Sequence, residues 1–118
     1  VRNLKPNKKK ADELFRSLIN LKYDKCQNCG SGNNKQCAHL ASRGYYSTRW
    51  SVENAVILCK GCHMYYTHHP LEWDDWCYKR LGTDWDDLKF RAKNFLGKTD
   101  YKKLTEQLKE EINVQMGK

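Results

Sequence analysis

Two close pairs of cysteines constrain this chain more than any other feature: Cys26-Gln-Asn-Cys29 and Cys59-Lys-Gly-Cys62, with 29 residues between them. Two intervening residues let both sulfurs of a pair face one point, and four thiolates at about 2.3 Å satisfy tetrahedral zinc. The glycine after Cys29 and the one before Cys62 permit the tight turns that such knuckles need. Six cysteines in all would also admit a disulfide framework. That reading is disfavoured, because Val1 to Lys10 is polar and basic rather than a secretory signal, and C-x-x-C pairs favour metal. A redox role would need only one pair. Cys37 and Cys77 read as small buried hydrophobes, with Cys37 as an alternative zinc ligand.

A metal staple suits a chain of 118 residues that is 39% hydrophobic, since a single domain this short buries only a modest core. No apolar run approaches the roughly 20 residues needed to cross a bilayer. The expectation is a soluble, cytoplasmic protein with no membrane partner.

Charge narrows the partner class. The net charge is +8, with 12 basic and 4 acidic residues from Val1 to His69 against 10 of each from Pro70 to Lys118. The whole positive excess therefore lies on the half that carries the paired cysteines. Such an asymmetric basic field suits phosphate backbones, although solvated lysines also serve solubility.

Periodicity supplies a coarse architecture. Residues 1–10 read as a flexible basic arm, with Lys8, Lys9 and Lys10 available to DNA. Leu14, Phe15, Leu18 and Leu21 fall at helical spacing and predict a helix from Ala11 to about Tyr23. Gly-, Asn- and Ser-rich residues 26–36 predict turns. Apolar segments at 37–43 and 55–58 predict an antiparallel ribbon, joined by a loop over 44–53, and a helix follows from about Cys59 through Tyr66. Beyond Pro70, a helix ending at Gly82, a second capped by Thr83 or Asp84 with a stripe of Trp85, Leu88, Ala92 and Phe95, and a third from about Asp100 to Val114 predict a helical extension over 70–118. The whole reads as one domain over 11–118, its core at 26–69, of α+β class.

Zinc closed by four sulfurs does not itself imply catalysis; the neighbouring residues do. Cys37-Ala-His39-Leu falls on the first strand, Asn54 opens the second, and His63 directly follows Cys62. The pattern C-x-x-C, strand His, then N-x-x-x-L-C-x-x-C-H resembles the HNH, or ββα-metal, nucleases. More narrowly, CAHLASRGYYSTRW followed by that motif and HPLEWDDW is similar to the phage recombination nucleases of the NinG/Rap type. The resemblance spans roughly residues 26–96 and is specific between His39 and His63.

The resemblance implies a zinc-stapled ββα core with flanking N- and C-terminal helices, and hydrolysis of DNA phosphodiesters to 5′-phosphate and 3′-hydroxyl ends. His39 matches the general base, a role suited to an imidazole that is neutral near pH 7. Asn54 matches the residue that holds the loop and orients that base. His63 matches the ligand of a catalytic Mg²⁺ or Mn²⁺. It also implies a phage or prophage origin in a bacterial host and a substrate of duplex, branched or single-stranded DNA. A homodimer would suit cutting of two strands.

One position departs from the pattern. Where many HNH enzymes carry a metal-binding Asp or His before the base, this chain has Ala38. Thr67, one turn after His63, and His68, five residues after it, are candidate replacements, with His68 rotated off the i, i+4 face. Arg43 and Arg49 flank the loop as candidate phosphate clamps. Tyr45, Tyr46 and Trp50 suit either base stacking or packing of the loop. The alternative to a nuclease is a non-catalytic zinc module that binds DNA or protein, in which His39 and His63 are structural.

Overall fold

In a computed structural model, which describes residues 5–94 and 97–117, the chain is α+β: six helices around one small two-stranded sheet. Helix α1 spans Lys5–Lys22, strand β1 Lys35–His39 and a single turn, α2, Tyr46–Arg49. A 3₁₀ turn at Val52–Asn54 leads into β2, Ala55–Cys59. Then follow α3 (Lys60–Thr67), α4 (Pro70–Leu81), α5 (Asp84–Lys93) and α6 (Tyr101–Met116).

The strands pair antiparallel, from Lys35 opposite Cys59 to His39 opposite Ala55. Every residue of β2 but its last is buried, which explains the unbroken apolar run AVILC. Side chains alternate across a strand, so β2 serves two cores. Ala55 and Ile57 pack with Ala11, Phe15, Leu18 and Ile19 of α1 and Leu108 of α6. Val56 and Leu58 face the opposite way, onto Cys77 of α4 and Trp85, Leu88 and Ala92 of α5. Helix α1, backed by α6, and helices α4 and α5 thus cover opposite faces of a ribbon too small to bury itself.

Several sequence expectations are corrected. Lys8, Lys9 and Lys10 belong to α1 rather than to a flexible arm, since the helix already runs from Lys5; Val1–Leu4 lie outside the described residues. Lysine is a good helix former, and Ala11, with no exposed surface, ties this end to the core. The α1 stripe uses Ile19 where Leu21 was expected, and Leu21 remains 46% exposed.

Strand β1 is displaced towards the N-terminus, covering 35–39 instead of 37–43. It stops at His39 because the N–H and C=O of Ala41 are taken by the Asn54 side chain rather than by a neighbouring strand. Residues 46–49 and 52–53, expected as loop, lie in the two short turns, and Asn54, expected to open the second strand, ends the 3₁₀ turn just before it.

Helix α4 begins with Pro70 in its first turn and ends at Gly82, whose φ of 60° lies in the region that favours glycine. Thr83 precedes α5 but makes no side-chain cap; Asp84, Asp86 and Asp87 favour that helix end through charge instead. Phe95 lies outside the described residues. Asp100 caps α6, accepting from the Lys103 N–H at 3.1 Å.

Candidate metal centre and active-site cleft

The four paired cysteines converge. The sulfurs of Cys26, Cys29, Cys59 and Cys62 all lie within 4.8 Å of one another, and Cys29 and Cys59 are 3.6 Å apart. Tetrahedral zinc with bonds of about 2.3 Å requires an S···S edge of about 3.8 Å. The cluster therefore fits a structural metal such as zinc.

Backbone N–H groups of Asn28 and Cys29 donate to Cys26 Sγ at 3.4 Å each, and that of Cys62 donates to Cys59 Sγ at 3.5 Å. The Asn28 amide donates to Cys62 Sγ at 3.3 Å. Burial raises the Cys26 thiol, but the backbone N–H groups of Cys29, Cys59 and Asn28 outweigh it and bring the pKa down to about 6. Four sulfurs this close cannot all carry charge without a cation between them, and a divalent metal removes that conflict. Cys37 and Cys77 stand apart from the cluster. Burial pushes their thiols up to about 11 and about 12, as befits small hydrophobes.

Cys59 ends β2 and caps α3, so the knuckle sets where α3 starts. Successive helix residues point about 100° apart; Cys62 turns to the metal cluster while His63 turns to a cleft of about 530 Å³ beside it. That cleft is also lined by His39 from β1, by Asp12, Phe15 and Arg16 from α1, and by Arg43, Arg49, Thr67 and Trp73. The two histidines named from the sequence therefore share one depression.

The hydrogen bonds of His39 define its chemistry. One ring nitrogen, Nε2, lies 2.8 Å from the Arg49 carbonyl oxygen. A carbonyl only accepts, so Nε2 carries the proton and the neutral ring keeps its lone pair on Nδ1. Burial lowers the His39 pKa below its ordinary value of 6.5, with the charges of Arg49 and Arg43 adding to the effect. Phe15 stacks on the ring, 5.6 Å between centroids and 30° between planes.

His63 is arranged in a complementary way. Its Nδ1–H donates to Gln36 Oε1 at 2.7 Å, leaving the Nε2 lone pair free, and burial lowers its pKa. Thr67 donates its hydroxyl proton to the His63 carbonyl at 2.7 Å, so its oxygen lone pairs remain available. Ala38, His39, His63 and Thr67 also line a smaller recess of about 80 Å³. His68, an alternative ligand from the sequence, lines neither space.

Asn54 is fully buried and serves the loop. Its Oδ1 accepts from the Ala41 N–H at 2.7 Å, and its Nδ2 donates to the Ala41 and Thr48 carbonyls at 3.1 and 3.0 Å. It thereby ties the end of β1 to the turn that carries the Arg49 carbonyl.

Arg49, expected as an external phosphate clamp, is 4% exposed and faces inward. Its Nε and Nη2 donate to both oxygens of Asp12 at 3.0 and 2.7 Å, and its Nη1 donates to the Arg43 carbonyl at 2.7 Å. Such a bidentate carboxylate partner draws the guanidinium in. Arg43 stays exposed on the cleft rim, joined by Arg16, whose role a helical sequence pattern does not reveal. Tyr46 and Trp50 pack edge-on at 5.6 Å, as do Trp50 and Tyr101, whereas Tyr45 is exposed. Asp12, Phe15, Arg16, Gln36 and Trp73 are the cleft or site-supporting residues that sequence reasoning missed; Trp73 is anchored by its N–H to the Leu40 carbonyl at 3.0 Å.

Together these features describe a four-sulfur metal knuckle abutting a basic-rimmed cleft that holds two oriented imidazoles. Comparison with models of protein families, with curated proteins and with solved structures returns no match.

Proposed function

We propose that the chain is a metal-dependent DNA endonuclease built on a zinc-stapled ββα core of HNH type, with His39 as general base. The observation that carries this reading is the pairing of free lone pairs in one cleft. Nδ1 of His39 is freed by the Arg49 carbonyl, and Nε2 of His63 is freed by Gln36.

The chemistry follows from those atoms. His39 Nδ1 takes a proton from a water molecule as that water attacks phosphorus in line with the 3′-oxygen, which departs. His63 Nε2, with the Thr67 hydroxyl oxygen beside it, would hold a Mg²⁺ or Mn²⁺ ion, the remaining positions being left to water and phosphate oxygens. Such an ion, when bound, offsets charge on the non-bridging oxygen and the leaving alkoxide. Arg16 and Arg43 grip phosphates on either side of the scissile bond, and Lys9 and Lys10, exposed near the start of α1, add to the positive field that attracts the backbone. Asn54 keeps the loop closed under the base.

Cleavage of supercoiled plasmid and of labelled branched and single-stranded oligonucleotides, with Mg²⁺, Mn²⁺ or EDTA, tests the proposal. Metal-dependent cutting by the wild type is expected, with a loss of about 10²- to 10⁴-fold in His39→Ala while zinc content and melting are kept. DNA binding without cutting under any ion would sink the nuclease and leave a zinc-stapled binding module.

A further inference from the structure

Helix α1 lies wholly before the cysteine and histidine motifs, yet it supplies one wall of the cleft. Asp12 is its polar residue most engaged with the rest of the fold among the described side chains. It accepts two hydrogen bonds from the Arg49 guanidinium and a third from the Trp50 indole N–H at 2.9 Å. These two donors are consecutive in the chain, and the carbonyl between them is the one that receives His39 Nε2–H. A third anchor holds the same residue from the other side, the bond from Arg49 to the Arg43 carbonyl. Arg49 is therefore held at its side chain by Asp12 and at its carbonyl by His39, while Phe15, three residues after Asp12, stacks on the imidazole itself.

We propose that Asp12 is a positioning residue for the general base: by locking Arg49 and Trp50 it fixes the carbonyl that selects the Nδ1-basic tautomer of His39. The inference deepens the nuclease reading and rests on it for its catalytic consequence, though its structural half stands alone. Asp12 itself does not supply the attacking lone pair, because both its oxygens are committed to Arg49 and Trp50. Without the carboxylate, the guanidinium loses its bidentate partner and the peptide after it is free to rotate. The imidazole proton then exchanges between its two nitrogens, and the basic lone pair points away from the substrate in part of the population.

The test is Asp12→Asn in the full, zinc-loaded chain, read by ¹⁵N resonances of the His39 ring and by steady-state cleavage. The wild type should show an unprotonated-type Nδ1 and a protonated-type Nε2. The variant should show both signals averaged towards each other, and a fall in kcat of about 10- to 100-fold with KM within about 2-fold, the penalty for a misplaced catalytic group. Should Asp12→Asn fail to fold, Trp50→Phe removes the indole donor, together with part of a buried ring, and keeps the ion pair; partial averaging of the same two signals is expected. A folded variant with the wild-type His39 signature overturns the proposal, whatever its rate. If the wild type cuts no DNA under any ion, the nuclease reading fails while the ¹⁵N signals still decide whether Asp12 orients His39.

Discussion

Replacing Asn54 by alanine isolates what a single buried amide does for this fold. The side chain has no exposed surface and satisfies three backbone groups: the Ala41 N–H, the Ala41 carbonyl and the Thr48 carbonyl. Thr48 keeps another donor after truncation, since the Ser51 N–H reaches its carbonyl at 3.1 Å. Ala41, itself 7% exposed, depends on Asn54 for both its groups.

Two buried groups left without partners cost about 1–3 kcal/mol each, so Asn54→Ala should lose about 2–6 kcal/mol. With an unfolding entropy near 2.1 cal/mol/K per residue, that lowers the melting temperature by about 8–24 °C. Thermal and urea melts followed by circular dichroism, with zinc content verified, measure it. Asn54→Asp adds a control of opposite pH sense. The oxygen that replaces Nδ2 would face the Ala41 and Thr48 carbonyls in a fully buried site, which raises the folded-state pKa of the new carboxyl even though the other oxygen keeps the Ala41 N–H. Its stability should therefore be greatest below the unfolded value near 3.9 and fall as pH rises through the folded value. Loss of less than about 1 kcal/mol in Asn54→Ala would refute the claim that the amide satisfies Ala41 unaided.

Three further outcomes are expected. Removal of the metal by a strong chelator should abolish the cooperative melt, because structural zinc binding is folding free energy and Cys26 sits within the core; an unchanged melt after verified metal loss would exclude a structural role. The acid limb of kcat/KM should fall below pH 6.5, since burial lowers the His39 pKa and only its neutral form is basic; the same sign makes the fold lose stability as pH drops below 6.5, the unfolded state then binding the extra proton, and a limb well above 6.5 would contradict a buried base. Arg16→Ala and Arg43→Ala should each reduce the salt slope of DNA binding by about 1, whereas Arg49→Ala should lower stability instead; a full slope change at Arg49 with an unaltered melt would show that the Asp12 pair does not hold it.

The four-cysteine cluster and the ribbon were legible in the chain because they rest on short-range pattern. Two C-x-x-C pairs carry their ligand geometry within a single turn each, and an apolar run bounded by Asn54 and Cys59 has little choice but to be the buried strand. His39, Asn54 and His63 were named by the family resemblance that their motif carries, and the fold brings His39 and His63 into one cleft with Asn54 beneath its loop. The helical extension was equally readable, with Pro70 at one end of α4 and Gly82 at the other.

What only the tertiary structure decided concerns partners far apart in sequence. Arg49 looks the same on paper whether it faces solvent or core; Asp12, 37 residues earlier, decides the matter with a bidentate bond at 2.7 and 3.0 Å. Gln36 gains its role by standing beside His63 across 27 residues. Which lone pair of each imidazole is free was likewise undetermined until the Arg49 carbonyl and the Gln36 amide were in place. Spacing along a chain specifies which ligands one turn presents, whereas the protonation and direction of a ring depend on whatever the fold brings against it.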